Sequence, residues 1–376
     1  MRIRTVLLTL CILFAARLAA SDDAMTVHEW GTFTSVAGRD GAAVNWLPFS
    51  GESDLPCFVH RFDQRNLKLT FGMVRMETPV LYFYPLRPSI VSVHVNFPDG
   101  RITEWYPRAD DVQSSPGRRG SIEWNSIHVD GSNGPLPREG SPSHYYAARE
   151  TDAWQLHAGT ENEKLLFYRG IGDFVVPLRP IVNGDGVSIQ NAGPETIPFA
   201  ILFENRAGTV RYRIIRSLRE PVRVDFSELG GNAAELDRQF EDELAEMGLY
   251  RKEAHAMVET WRDSWFEEGL RVFYIVPRPT VDTVLPLSIS PVPNQLSRVF
   301  VGRVEILAPW MHREITTALA DGNIAILKKY GRFLNAFLAG LAAKSQEPAV
   351  SASAKQFLEA SYAQVAREAQ AISCAQ

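Results

Sequence analysis

One stretch of nine residues, His144 to Asp152, holds an imidazole, two phenols, a guanidinium and two carboxylates. If it is a strand, alternate residues share a face, which groups His144 and Tyr146 with Glu150 and Asp152. If it is a loop, these four residues need not share a face. A carboxylate close to a histidine can act as a general base or a metal ligand. Glu150 and Asp152 are therefore candidate catalytic residues, and His144 and Tyr146 are candidate binding residues.

Two further acidic residues lie in apolar contexts typical of strands. Glu77 stands in Arg75-Met76-Glu77-Thr78-Pro79 and is a third catalytic candidate. His28, Glu29 and Trp30 follow one another near the N-terminus and are candidate binding residues. A carboxylate is costly to bury unless it is paired or bound to a metal.

These acidic residues allow two interpretations. They can converge on a metal site, or on a site in which an acid of raised pKa faces a base. Alternatively, they can form structural ion pairs with Arg75, Arg149 and Arg169. The sequence identifies neither a metal nor a cofactor. It contains no P-loop, no dinucleotide-binding glycine motif, no H-E-x-x-H and no G-x-S-x-G.

The elements that must position these residues are mostly short strands up to about residue 228. Ile90–Phe97 alternates apolar and polar residues, and Pro98-Asp99-Gly100 then predicts a turn into a partner strand, Arg101–Tyr106. A second hairpin is indicated by Ile197–Phe203 and Val210–Ile215. This part of the chain therefore predicts an antiparallel β-sandwich-like domain.

Helical periodicity begins after residue 230. It predicts helices over Ala233–Met247 and Arg251–Glu268, and one long helix over Ile324–Ala343. Strands are expected again at Leu270–Val276 and Arg298–Leu307, where they could complete the earlier sheet. The predicted class is α+β, with a mixed, mostly helical C-terminal part. The expected division is 1–20, a signal peptide; 21–228, β-rich; 229–343, mixed and helical; 344–376, a linker and a last helix.

The N-terminus has the features of a secretory signal. Arg2 and Arg4 precede an apolar run, Thr5–Ala16, that is too short to cross a bilayer, and small residues then predict cleavage after Ala20 or, as the alternative, after Ala24. We expect a periplasmic or secreted bacterial protein with no membrane span after cleavage. The net charge of −5 argues against a nucleic-acid partner, which would need a basic surface.

Cysteine usage leaves one question open. Cys57 and Cys374 remain after cleavage, and an oxidising compartment permits a disulfide between them. Their distance apart in the chain does not decide whether they pair.

Several phrases of the sequence are distinctive as a set, notably HEWGTF, METPVLYFY and YYAARETDA. They resemble recurring phrases of a family of exported bacterial proteins that has no assigned activity. The resemblance spans most of the chain and implies export as one continuous unit. It supplies no fold, cofactor or catalytic residue.

Two functions are compatible with these observations. The first is a non-catalytic protein that binds an envelope protein or a glycan through its β-rich part. Strand aromatics could stack on sugar rings there, although such residues are more often core: Trp30, Trp46, Trp105, Trp124, Trp154, Tyr145 and Tyr146. The alternative is a hydrolase, metal-assisted or dependent on its carboxylates, that uses Glu29, Glu77, Glu150 or Asp152.

Overall fold

The computed structural model describes residues 24–51, 55–62, 68–114, 119–140, 142–344 and 347–371. Strands dominate up to Asp225, and α-helices begin at Ala233, which confirms the α+β class. Eighteen strands, β1 to β18, run in the described chain over Met25–Val36, His60–Arg61, Val74–Pro85, Ser89–Phe97, Gly100–Tyr106, Asp111–Gln113, Gly120–Val129, Leu156–Ala158, Glu161–Glu163, Leu166–Gly172, Leu178–Asn183, Gly186–Asn191, Ile197–Arg206, Thr209–Leu218, Val222–Asp225, Gly269–Ile275, Leu287–Ser290 and Gln295–Ile306.

The helices are concentrated in the second half. The described residues form seven α-helices, α1 to α7, over Ala233–Glu246, Arg251–Trp265, Arg278–Val284, Pro309–Asp321, Ile324–Lys328, Leu334–Lys344 and Pro348–Ala371. Three 3-10 helices cover His144–Arg149, Phe226–Glu228 and Gly331–Phe333.

A nine-stranded sheet forms the centre of the molecule, in the order β14-β13-β16-β18-β1-β3-β10-β5-β2. Its neighbours are antiparallel except for β1 and β18, which run parallel from Thr26 opposite Gln295 to Val36 opposite Glu305. Strands β16 and β18 thus complete the sheet begun by the N-terminal strands, as the sequence suggested. The expected boundary at residue 228 falls between strands of one sheet.

Two smaller sheets accompany it. One has the order β11-β12-β15, and the other β17-β4-β7-β8-β9, with β6 also paired to β7. The central sheet has an apolar cluster on each face. The first joins it to the small sheets and the C-terminal helices, for example through Phe83, Val93 and Trp124. The second joins it to α1 and α2, for example through Phe240 and Phe273.

Three local predictions have clear outcomes. The hairpin of β13 and β14 is confirmed, with Ala207 and Gly208 at positive φ in its turn. The hairpin of β4 and β5 is wrong: β4 pairs with β7 and β17, while β5 pairs with β10 and β2, so Pro98-Asp99 carries the chain from one sheet to another. The single helix over Ile324–Ala343 is also wrong, because Gly331 has φ +50° and separates α5 from α6.

The N-terminal signal, with both cleavage positions, lies outside the described residues. Of the helices that the structure describes, none is both long and apolar enough to cross a membrane. Cys57 is disulfide-bonded. Cys374 lies outside the described residues, so the pairing of these two cysteines stays open.

Candidate functional site

The His144 to Asp152 stretch is not a strand. Residues His144–Arg149 form a 3-10 helix that begins with the Ser143 hydroxyl accepting a hydrogen bond from the Tyr145 backbone N–H. In a 3-10 helix, residues three apart share a face, so the alternation expected from a strand does not hold. The structure buries Tyr145, Ala148 and Arg149 instead of the His144 side.

The buried side of this helix is an ion-pair site. The Arg149 guanidinium donates to Glu163 through Nε to Oε1 at 2.9 Å and Nη2 to Oε2 at 2.6 Å. The Tyr145 hydroxyl donates to the same carboxylate at 2.9 Å. Glu163 is fully buried, so these three donors satisfy a carboxylate that has no access to water.

The predicted catalytic residues of this stretch face solvent. Glu150 is exposed, and Asp152 accepts a hydrogen bond from Lys252 Nζ at 2.5 Å with both side chains more than half exposed. Tyr146 is half-buried, and its hydroxyl accepts from the Glu139 backbone N–H at 2.9 Å. His144 is also half-buried.

The predicted binding residue His28 lies elsewhere, on the face of the central sheet that α2 covers. Its Nδ1 is 2.7 Å from Glu253 Oε2, and both side chains are fully buried. The Tyr84 hydroxyl donates to Glu253 Oε1 at 2.6 Å, and the Tyr250 backbone N–H donates to Oε2 at 2.7 Å. Glu253 is thus shared between the end of a strand and the start of a helix.

Glu29 points to the opposite face, as expected for the next residue of a strand. It accepts hydrogen bonds from the Tyr168 hydroxyl and from Arg298 Nε, both at 2.5 Å. Burial, followed by the negative charge of Glu29, raises the pKa of Tyr168 well above its usual value. Trp30 is fully buried in the cluster under α1 and α2.

Glu77 has the most unusual surroundings of the predicted site residues. It is buried, and its Oε1 is 2.9 Å from Arg332 Nη1. Burial on its own would raise the pKa of Glu77, but the guanidinium groups of Arg332, Arg75, Arg169 and Arg303 together hold it below its usual value. Glu77 is therefore ionised at neutral pH, which is the opposite of the raised-pKa acid expected from the sequence.

Threonines of β1 lie between these arginines. Thr34 is opposite Arg75 on one side and Arg303 on the other, and Thr32 is opposite Glu77. Directly opposite residues in adjacent strands have Cβ atoms about 5 Å apart, so these side chains are immediate neighbours. We call Arg75, Arg169, Arg303 and Arg332, with Glu77 and the adjoining threonines Thr32, Thr34 and Thr78, the arginine cluster.

The three threonine hydroxyls of the arginine cluster are exceptional. Thr32, Thr34 and Thr78 are at most 2% exposed, and within the described residues their hydroxyls have no hydrogen-bond partner. A buried polar group without a partner is destabilising by about 1–3 kcal/mol, so native proteins rarely leave one. Three such hydroxyls lie side by side and are available to a further polar group, whether a water or a ligand.

The backbone is irregular at the same place. The β1–β3 register shifts between Trp30 and Thr32, and the register of β10 with β3 and β5 shifts around Gly170. Thr78 has φ +41°, a conformation that non-glycine residues rarely adopt. Bulges and strained residues are frequent beside functional sites, where they redirect side chains.

A salt-bridge network holds one side of the arginine cluster in place. Arg303 donates to Glu305 through Nε and to Glu267 through Nη2, each at 2.6 Å, and to the Ser264 hydroxyl at 2.8 Å. Glu305 also pairs with Arg271 at 2.7 Å. These contacts connect β18 to the end of α2, so Arg303 cannot turn away from the cluster without losing them.

The predicted site residues therefore do not form one centre. Glu29 and Glu77 lie on opposite faces of the sheet, while Glu150 and Asp152 lie on the surface. Within the described ranges, no group of three or more His, Cys, Asp or Glu residues could hold a metal ion. Of the aromatic residues considered for sugar stacking, four are core: Trp30, Trp46, Trp124 and Tyr145.

Several residues that matter here carried little signal in the sequence. Arg303 and Glu305 alternate in a strand pattern, and Glu253 occupies the third position of α2 in a capping box, so each had a conventional explanation. Arg332 follows a glycine inside a helix that the sequence predicted, and no pattern marked it as a site residue.

No protein-family model matches this chain, and no curated protein matches it.

Proposed function

We propose that this is an exported, non-catalytic binding protein of the bacterial cell envelope, with a β-sandwich-like N-terminal part, that recognises an anionic group of its ligand at the arginine cluster. The observation that carries the proposal is the position of Thr34. Its buried, unpartnered hydroxyl stands between strand positions Arg75 and Arg303. A hydroxyl donor flanked by guanidinium groups matches the oxygens of a phosphate, sulfate or carboxylate.

The charge distribution supports the same ligand class. Four guanidinium groups act on the carboxylate of Glu77, and one of them, Arg303, also pairs with Glu267 and Glu305. Arg332 is the most exposed member, with 15% of its side chain exposed. Export is expected from Arg2, Arg4 and the apolar run that follows them. An acidic envelope glycan, or an acidic group on an envelope protein, is the partner that fits these features.

Titration calorimetry of the full chain with inorganic phosphate, sulfate and glucuronate tests the proposal. We expect binding at low ionic strength that weakens as salt is added. Thr34→Val removes only the hydroxyl and should reduce the affinity about tenfold, since a hydrogen bond to a charged group contributes roughly 1.5–3 kcal/mol. Its melting temperature should not fall, because the hydroxyl has no partner among the residues that the structure describes.

A matched control separates binding from folding. Thr103 is also a fully buried strand threonine, but its hydroxyl donates to Glu104 at 2.6 Å. Thr103→Val should therefore lower the melting temperature and leave anion affinity unchanged. Equal affinities for the wild type, Thr34→Val and Arg332→Gln would overturn the proposal.

A further inference from the structure

A second, separate site lies beside α6, within the apolar cluster that joins the central sheet to the C-terminal helices. A cavity of about 720 Å³ opens between α6, the start of α4, the ends of β11 and β18, and the bend that follows β1. Its walls are mainly aliphatic and aromatic, including Val44, Val182, Ile306, Phe337 and Leu341. Cavities of roughly 300–1,000 Å³ with apolar walls are typical of small-molecule sites.

Three polar side chains line this cavity: Arg39, Asn45 and His312. Arg39 is exposed, and no hydrogen bond or ion pair joins it to any described residue. His312 is half-buried, and burial, followed by the nearby charge of Arg39, lowers its pKa. Arg313 acts in the same direction, and Glu347 opposes it. At neutral pH the cavity thus offers one cation and a neutral imidazole that can donate a hydrogen bond.

The helix that forms one wall keeps the space open. Gly340 lies within α6, and a Cβ placed on it would meet no atom within 4 Å. Glycine inside a helix is about 1 kcal/mol less favourable than alanine. Packing within the chain does not require a glycine at position 340, because a side chain there would project into open space. Ala336, Ala339 and Ala343 add small side chains to the same lining.

We propose that this cavity binds a long-chain carboxylic acid, with the alkyl chain against α6 and the carboxylate paired with Arg39 at the mouth and accepting a hydrogen bond from His312. The apolar walls exclude a wholly polar ligand, because they would leave its groups without partners. The unpaired Arg39 favours an anionic head group over a neutral one. The proposal does not depend on the arginine cluster, which lies on the opposite face of the sheet.

Calorimetry with dodecanoate, with dodecanol as the uncharged analogue, tests this inference on the full chain. Gly340→Leu should fill the cavity and weaken dodecanoate binding at least tenfold, with a melting temperature equal to or above that of the wild type. Gly340→Ala is the matched control and should bind like the wild type. Arg39→Gln should bring dodecanoate affinity down to that of dodecanol.

The outcomes distinguish this site from the arginine cluster. Thr34→Val should bind dodecanoate normally, and Gly340→Leu should bind phosphate as the wild type does. No binding of dodecanoate at millimolar concentration, or equal binding by Gly340→Leu, would overturn the inference.

Discussion

Glu77 and Arg332 form an ion pair of 2.9 Å although one lies in the third strand and the other in a 3-10 helix near the end of the chain. The pair closes the arginine cluster on its solvent side. Glu77 thereby connects the central sheet to the C-terminal helical region, so its ionisation bears on the stability of the whole fold.

Replacing Glu77 tests this connection through its pH dependence. The pKa of Glu77 is lower in the folded protein than its ordinary value of 4.5. The stabilisation is therefore complete above about pH 5 and is lost as the pH falls through the folded pKa. Glu77→Gln should lower the free energy of unfolding by about 3 kcal/mol at pH 7. The difference from the wild type should shrink between pH 5 and pH 3 in urea denaturation.

Glu150→Gln is the control for that experiment, because Glu150 is exposed. Its denaturation curves should follow those of the wild type at every pH. A Glu77→Gln difference that stays constant down to pH 3 would show that the charge of Glu77 is not what stabilises the fold.

The buried pair of His28 and Glu253 should be sensitive to a change of charge. Glu253 accepts from His28, from the Tyr84 hydroxyl and from the Tyr250 backbone. Glu253→Gln places an amide N–H donor against these donors. It should lower the free energy of unfolding, measured by chemical denaturation, by about 3 kcal/mol. Glu241→Gln breaks the more exposed pair with His255 and should lower the free energy of unfolding by less than about 1 kcal/mol. Similar losses in the two variants would contradict the assigned burial.

The two sides of the His144–Arg149 helix should respond differently to substitution. Arg149→Met leaves the fully buried Glu163 without its main partner and should destabilise the protein by about 3 kcal/mol or more. Asp152→Asn breaks an exposed pair with Lys252 and should change stability by less than about 1 kcal/mol. Thermal unfolding of the two variants side by side tests this difference, and a severe effect of Asp152→Asn would contradict its exposed position.

Periodicity predicted the local elements well where one face of an element is apolar. Helices α1 and α2 and the hairpin of β13 and β14 follow from such patterns. Alternation does not reveal which strands pair. For that reason the pattern could not predict that β4 and β5 enter different sheets. The stretch from His144 contains no apolar alternation, and the pairing of Arg149 with Glu163 is not visible in the local pattern.

The candidate site was predictable only in part. The sequence indicated that carboxylates such as Glu29 and Glu77 need partners once buried, and each has one. It did not indicate which partners, since Arg298 is 269 residues from Glu29 and Glu253 is 225 residues from His28. Pairings over such distances are set by the register of the central sheet, which the local pattern of a strand leaves open.

The place of β1 in the middle of the central sheet also governs when the protein can fold. This strand, among the first described residues, has its parallel partner at Gln295–Ile306. A chain growing from its N-terminus exposes one edge of β1 until residues near 305 have been made, so the sheet forms late in synthesis. A product that ends before β18 retains an open edge that invites association with other chains. The same delay keeps the central sheet incomplete for most of the chain's synthesis.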